Sequence, residues 1–167
     1  MDNDRCILRL KGVSKFFPGL KALDQVDFDL HYGEIHALVG ENGAGKSTLI
    51  KIITGVHQPD EGEIFCQDQR VIFANPTVAS RYHIAAVYQQ PASFPHLTVT
   101  ENIFLGHPLI QPQSRRLLWR EMRQQARALL SSLGADVSPT AVMGSLSVAQ
   151  QQMVEIAKAL SINAQIL

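Results

Sequence analysis

The sequence has no excess charge of either sign, few aromatic residues, two cysteines and no long apolar run. Its 15 basic groups balance 15 acidic ones, so electrostatics gives no reason to expect a nucleic-acid partner. No apolar stretch approaches the ~20 residues that cross a bilayer. The start of the chain, Met1, Asp2, Asn3, Asp4 and Arg5, is polar and lacks the apolar segment of a secretory signal. Cys6 and Cys66 show no metal-ligand spacing and read as small buried or half-buried thiols of a reducing cytosol. Internal repeats and low-complexity tracts are lacking too. What is present is 167 residues that are 46% hydrophobic, enough for one good-sized core.

One stretch carries most of the chemistry. Gly40, Glu41, Asn42, Gly43, Ala44, Gly45, Lys46 and Ser47, followed by Thr48, fit G-x-x-x-x-G-K-[ST], the phosphate-binding P-loop. Glycines free the backbone for positive φ, so successive N–H groups can point at phosphate oxygens. Lys46 can reach the β- and γ-phosphates, and the Ser47 hydroxyl can ligate Mg²⁺. The helix that follows turns its positive end toward the same anion. The flanks fit: residues 35–39 form an apolar run suited to a parallel strand buried on both faces, and residues 47–54 read as a helix capped by Gly55.

Along the rest of the chain, residues 6–10 read as a strand and 25–30 as a half-exposed antiparallel strand. Short strands are expected at 62–66 and 71–73, a short helix at 76–82 and a second buried strand at 84–88. After Pro91 the texture turns helical, at 100–105, 117–133 and 147–160. On the middle helix Leu118, Met122, Gln125 with Ala126, Leu129 and Leu133 share one face. Arg116, Arg120, Arg123 and Arg127 share another, which is either a solvated face or a surface that meets acidic protein or lipid headgroups. The expected division is a nucleotide-binding α/β core over residues 1–90 and a helical subdomain over 91–145. Residues 146–167 would carry a further helix and the start of the next core strand. Ser147 and Gln150 form the S-x-x-Q of a capping box at that helix start.

With the P-loop at 40–47, a glutamine at 89 closing the 84–88 run, and Leu146, Ser147, Val148, Ala149 and Gln150 ahead of a helix, the chain resembles the ATP-binding subunit of an ABC transporter. Residues 94–103 and 151–158 resemble the branch that imports carbohydrates, monosaccharides above all. The resemblance implies an α/β P-loop NTPase core with an antiparallel β subdomain and an inserted helical subdomain, incomplete at its C-terminus. It implies ATP and Mg²⁺ as cofactors. Phe17 would stack on adenine. Gln89 would sense Mg²⁺ and the γ-phosphate, position the attacking water alongside Lys46, and pass nucleotide state to a membrane partner. Residues 146–150 would cover the ATP held by a second ATP-binding domain. The implied partners are that second domain, transmembrane permease subunits and, indirectly, a periplasmic sugar-binding protein. The implied place is the cytoplasmic face of the inner membrane.

The sequence also departs from the family. Val148 and Ala149 stand where the family often has two glycines, so altered closure over phosphate is expected. No apolar run ending in Asp-Glu is present, and all six histidines precede residue 146. The general base and the later histidine of the family are therefore missing, as from a fragment. Weak nucleotide binding, almost no hydrolysis and poor solubility are expected of the chain alone. A non-hydrolytic nucleotide-binding module that pairs with an intact subunit, and a soluble ABC-type ATPase, stay open as alternatives.

Overall fold

The computed structural model describes residues 5–88 and 93–167. They fall into two compact units, Met1–Ile84 and Ala85–Leu167.

The first unit is built on a four-stranded antiparallel sheet in the order β2-β1-β3-β4. Its strands are β1 (Cys6–Phe17), β2 (Leu20–His31), β3 (Glu61–Cys66) and β4 (Gln69–Val71). Alternation sets the buried face: Cys6, Leu8 and Leu10 on β1 line up with Ile64 and Cys66 on β3. Both cysteines are free and buried, as expected. β1 runs on past the expected end because the register shifts between Leu10 and Val13, and the Gly12 N–H there is met by the Asp27 carboxylate at 2.7 Å. At the crossing of β1 and β3, a side chain on Gly62 would stand 2.5 Å from the Gly12 carbonyl oxygen, so the two backbones approach as only glycine permits. Helix α1 (Lys46–Ile53) buries Leu49, Ile52 and Ile53. Thr54 caps it, one place before the expected Gly55, which follows in the left-handed conformation. Helix α2 (Pro76–Arg81) starts at Asn75, whose side chain accepts the Val78 N–H.

Two expected strands are not formed. Residues 35–39 and 85–88 carry no strand, and Ile35 and Val39 are 100% and 91% exposed. A parallel strand draws its stability from ladders on its edges and layers on its faces. Among the described residues no strand runs beside 35–39, so the apolar run has nothing to pair with. Its entry is nonetheless held. Glu34 accepts the His31 N–H at 2.8 Å and contacts His36 at 2.7 Å, and these two contacts, that N–H first, keep its carboxyl below the usual range.

The second unit packs three helices on one apolar cluster: α3 (Val99–Phe104), α4 (Trp119–Ser132) and α5 (Val148–Ser161). Val99, Ile103, Met122, Ala126, Leu130, Met143, Val154 and Ala157 form its centre. Of the face expected on α4, Met122 and Ala126 are buried, Leu129 and Leu133 lie at the margin and Gln125 is exposed, while Leu130, which the expected face left out, is buried. Buried Asn102 organises the approach to α3: its amide accepts from the Phe94 N–H at 2.8 Å and donates to the Phe94 and Thr98 carbonyls. Ile166 is buried and its carbonyl takes the Ala85 N–H at 2.9 Å, a single bond in place of the expected strand.

Candidate functional site

The phosphate cradle occupies the link between residue 33 and α1. Gly43 and Gly45 take φ of 89° and 87°, the left-handed region that glycine enters without strain. Gly45 has a second constraint. A Cβ there would stand 2.5 Å from the Ala22 carbonyl oxygen and 2.7 Å from Leu23 Cδ2, so the loop is seated against β2 through a missing side chain. Gly45 is also the N-cap of α1 and supplies no side-chain cap. The first backbone bond of the helix is Leu49 N–H to the Gly45 carbonyl. Among the described residues the N–H groups of Lys46, Ser47 and Thr48 have no backbone acceptor. They are the donors an anion would use.

Lys46 folds back over the loop. Its Nζ donates to the Gly40 and Glu41 carbonyls, each at 2.7 Å. Two of three ammonium donors are thereby engaged and one is left over. The Ser47 side chain is exposed. No cluster of three or more His, Cys, Asp or Glu capable of holding a metal exists among the described residues.

Phe17 ends β1 at the hairpin that leads into Ala22 and Leu23, the residues against which Gly45 rests. Its ring is half-buried. His57 meets it edge-on at 5.4 Å between centroids, and the Lys15 ammonium stands 5.7 Å from the ring centre. Lys15 is in turn paired with Asp60 at 2.9 Å. Asp60 also accepts the Phe16 N–H, and these bonds, the Phe16 one first, hold its carboxyl below the usual range. Sequence reading missed Lys15, His57 and Asp60. Their tie to Phe17 runs between β1 and the segment after α1, and no local motif signals it.

The second candidate segment lies in the other unit. Ser147 is the N-cap of α5, and the capping box is formed: its Oγ accepts the Gln150 N–H at 3.3 Å, and Gln150 Oε1 accepts the Ser147 N–H at 3.0 Å. Gln151 donates to the Leu146 carbonyl at 3.1 Å, tying the entry to the helix. Val148 and Ala149 have ordinary helical backbone and are exposed, so their side chains fit this helix without strain. Gln89 lies outside the described residues. The structure therefore brings Gly40 to Thr48 together, with Phe17 on the adjoining hairpin, and sets Leu146 to Gln150 on a unit of their own.

Comparison with known proteins follows the same lines. A family profile described as "ABC transporter" matches residues 23–167. A putative ribose/galactose/methyl galactoside import ATP-binding protein of Agrobacterium fabrum is 50% identical over 162 residues, covering 96% of this chain and 32% of the relative. The chain thus spans about a third of the length of the curated relatives it matches. The crystal structure of a nucleotide-free ATP-binding cassette from an ABC transporter superposes with a TM-score of 0.79 at 31% identity, over 95% of this chain and 66% of that one. The dimeric structure of a bacterial ABC transporter cassette gives 0.74 at 27% identity, over 94% and 70%. The fold is accordingly that of an ABC-type P-loop NTPase, and the chain belongs to the ABC transporter family.

Proposed function

We propose that this chain is the N-terminal part of an ATP-binding subunit that energises sugar import by an ABC transporter. The observation that carries this reading is the opening of α1: a glycine cap without a side-chain bond, three N–H groups without backbone acceptors, and Lys46 poised over the loop. Gly40 to Thr48 hold the phosphates of ATP, and Ser47 and Gln89 hold Mg²⁺, which neutralises phosphate charge when bound. Lys46 stabilises charge on the β- and γ-phosphates, Gln89 positions water, and Phe17 stacks on adenine.

Leu146 to Gln150 face the ATP of a second ATP-binding domain, either another copy or a tandem half. The dimeric cassette among the structural relatives supports this arrangement. The helical unit docks on transmembrane permease subunits at the cytoplasmic face of the inner membrane, with a periplasmic sugar-binding protein upstream. No helix among the described residues is long and apolar enough to cross a membrane itself. The import function named for the Agrobacterium relative supports sugar as cargo. The chain has no apolar run ending in Asp-Glu. By itself the chain binds Mg·ATP and hydrolyses almost none.

The test is titration of the chain with a fluorescent ATP analogue, together with a phosphate-release assay. Saturable, Mg²⁺-dependent binding with negligible turnover is expected. Absence of binding, or turnover in the ordinary range of about 1 s⁻¹ or faster, would overturn the reading.

A further inference from the structure

We infer that the outer face of α4 is a docking surface for anionic phospholipid headgroups. The whole chain is neutral, yet five arginines (115, 116, 120, 123 and 127) fall within 13 residues that hold a single carboxylate, Glu121. All five are exposed, and among the described residues none forms an ion pair. Internal pairing, the ordinary fate of such charges, is therefore not their use.

The geometry is that of a row. Arg120, Arg123 and Arg127 lie along one side of α4, flanking the face of Met122, Ala126 and Leu130 that is buried in the helical core, and Arg115 and Arg116 stand just ahead of the helix. At ~1.5 Å per residue the helical part of the row, from 120 to 127, is roughly 10 Å long, enough to meet more than one headgroup at once. Trp119 and Leu117 sit at its start, 39% and 41% exposed. An exposed indole beside cationic side chains is the composition of a membrane-surface helix, with the ring at headgroup depth and guanidinium groups on phosphates. A single acidic peptide would have to match this row charge by charge. A lipid surface matches it without register, because its anions are mobile in the plane. The inference does not depend on the proposed transport role.

Trp119 is the only tryptophan in the chain, so its emission reports on this surface alone. The chain is mixed with vesicles of phosphatidylcholine, and with vesicles of equal parts phosphatidylcholine and phosphatidylglycerol. Emission and co-sedimentation are followed in about 0.1 M and about 0.5 M salt. Binding with a blue shift is expected on the anionic vesicles only, and it weakens at the higher salt. The triple variant Arg120→Gln/Arg123→Gln/Arg127→Gln should lose roughly 100-fold in affinity, from about 5-fold per arginine near an anionic surface. The corresponding triple Lys variant keeps the charge and should keep most of the binding, which controls for folding of the Gln variant. Equal binding to neutral vesicles, no binding to either, or an unchanged Gln variant overturns the inference. So does binding to polyglutamate with none to anionic vesicles.

Discussion

Two helices in this chain begin at candidate phosphate sites, and they begin in opposite ways. α1 opens on Gly45, with no side chain to satisfy its first N–H groups and a lysine held just above them. α5 opens on Ser147, whose hydroxyl and the Gln150 amide close a reciprocal box. The first leaves its donors to a ligand, and its fold carries the cost of three uncapped N–H groups. The second satisfies part of its own end, so it is stable without a ligand and offers fewer donors. Under the proposed function, α1 surrounds a phosphate and α5 meets one held by a second domain, and the two caps differ in the way those two tasks require.

The largest test of this contrast is Gly45→Ala. The new Cβ meets the Ala22 carbonyl and Leu23 at a backbone angle that alanine resists. A loss of about 3 kcal/mol or more is expected in a urea melt, with nucleotide binding lost as well. Lys46→Ala should leave the fold near wild type and cut nucleotide affinity roughly 100-fold, the scale of a lost charge-assisted contact. An analogue titration checks it, and unchanged affinity would break the assignment of α1 as the cradle.

At the other helix, Ser147→Ala removes the cap and should cost about 1 kcal/mol in the same melt. Nucleotide binding to the isolated chain should not change. The smallest effect compares two capping boxes. α3 uses Thr98 with Glu101 where α5 uses Ser147 with Gln150, so only α3's box titrates. The Thr98 hydroxyl first, and then its N–H, hold the Glu101 carboxyl below the usual glutamate range. A lowered native pKa stabilises above the unfolded value and loses that stability as pH falls through the native one. Stability should therefore drop below about pH 4.3, and Glu101→Gln should flatten that part of the profile while keeping the box.

These contrasts were unevenly legible in the sequence. The capping box at Ser147 and the Pro76 start of α2 are local, each decided within a few residues by side-chain chemistry, and each formed as expected. The strands at 35–39 and 84–88 were read from apolarity alone. Such a run is a strand only where other strands lie beside it, and its neighbours are not encoded in the run. The apolar pattern at 6–10 marks a strand only to Leu10, whereas Asp27 from the neighbouring strand satisfies the Gly12 N–H at the irregularity that follows and β1 continues to Phe17. At the candidate site, the loop residues are legible as a motif because the motif is contiguous. The surroundings of Phe17 are not, because Lys15, His57 and Asp60 meet it only through the fold.

The Lys46 contacts give the cradle a competitor of its own making. Under the proposed function, an arriving phosphate meets the one ammonium donor left over by the Gly40 and Glu41 carbonyls, and any further contact with that ammonium comes in exchange for those two bonds. A ligand without phosphate makes no such contact. Adenosine would leave the Lys46 bonds as they are, so under the proposed function titration with adenosine beside ATP isolates what the loop contributes through phosphate.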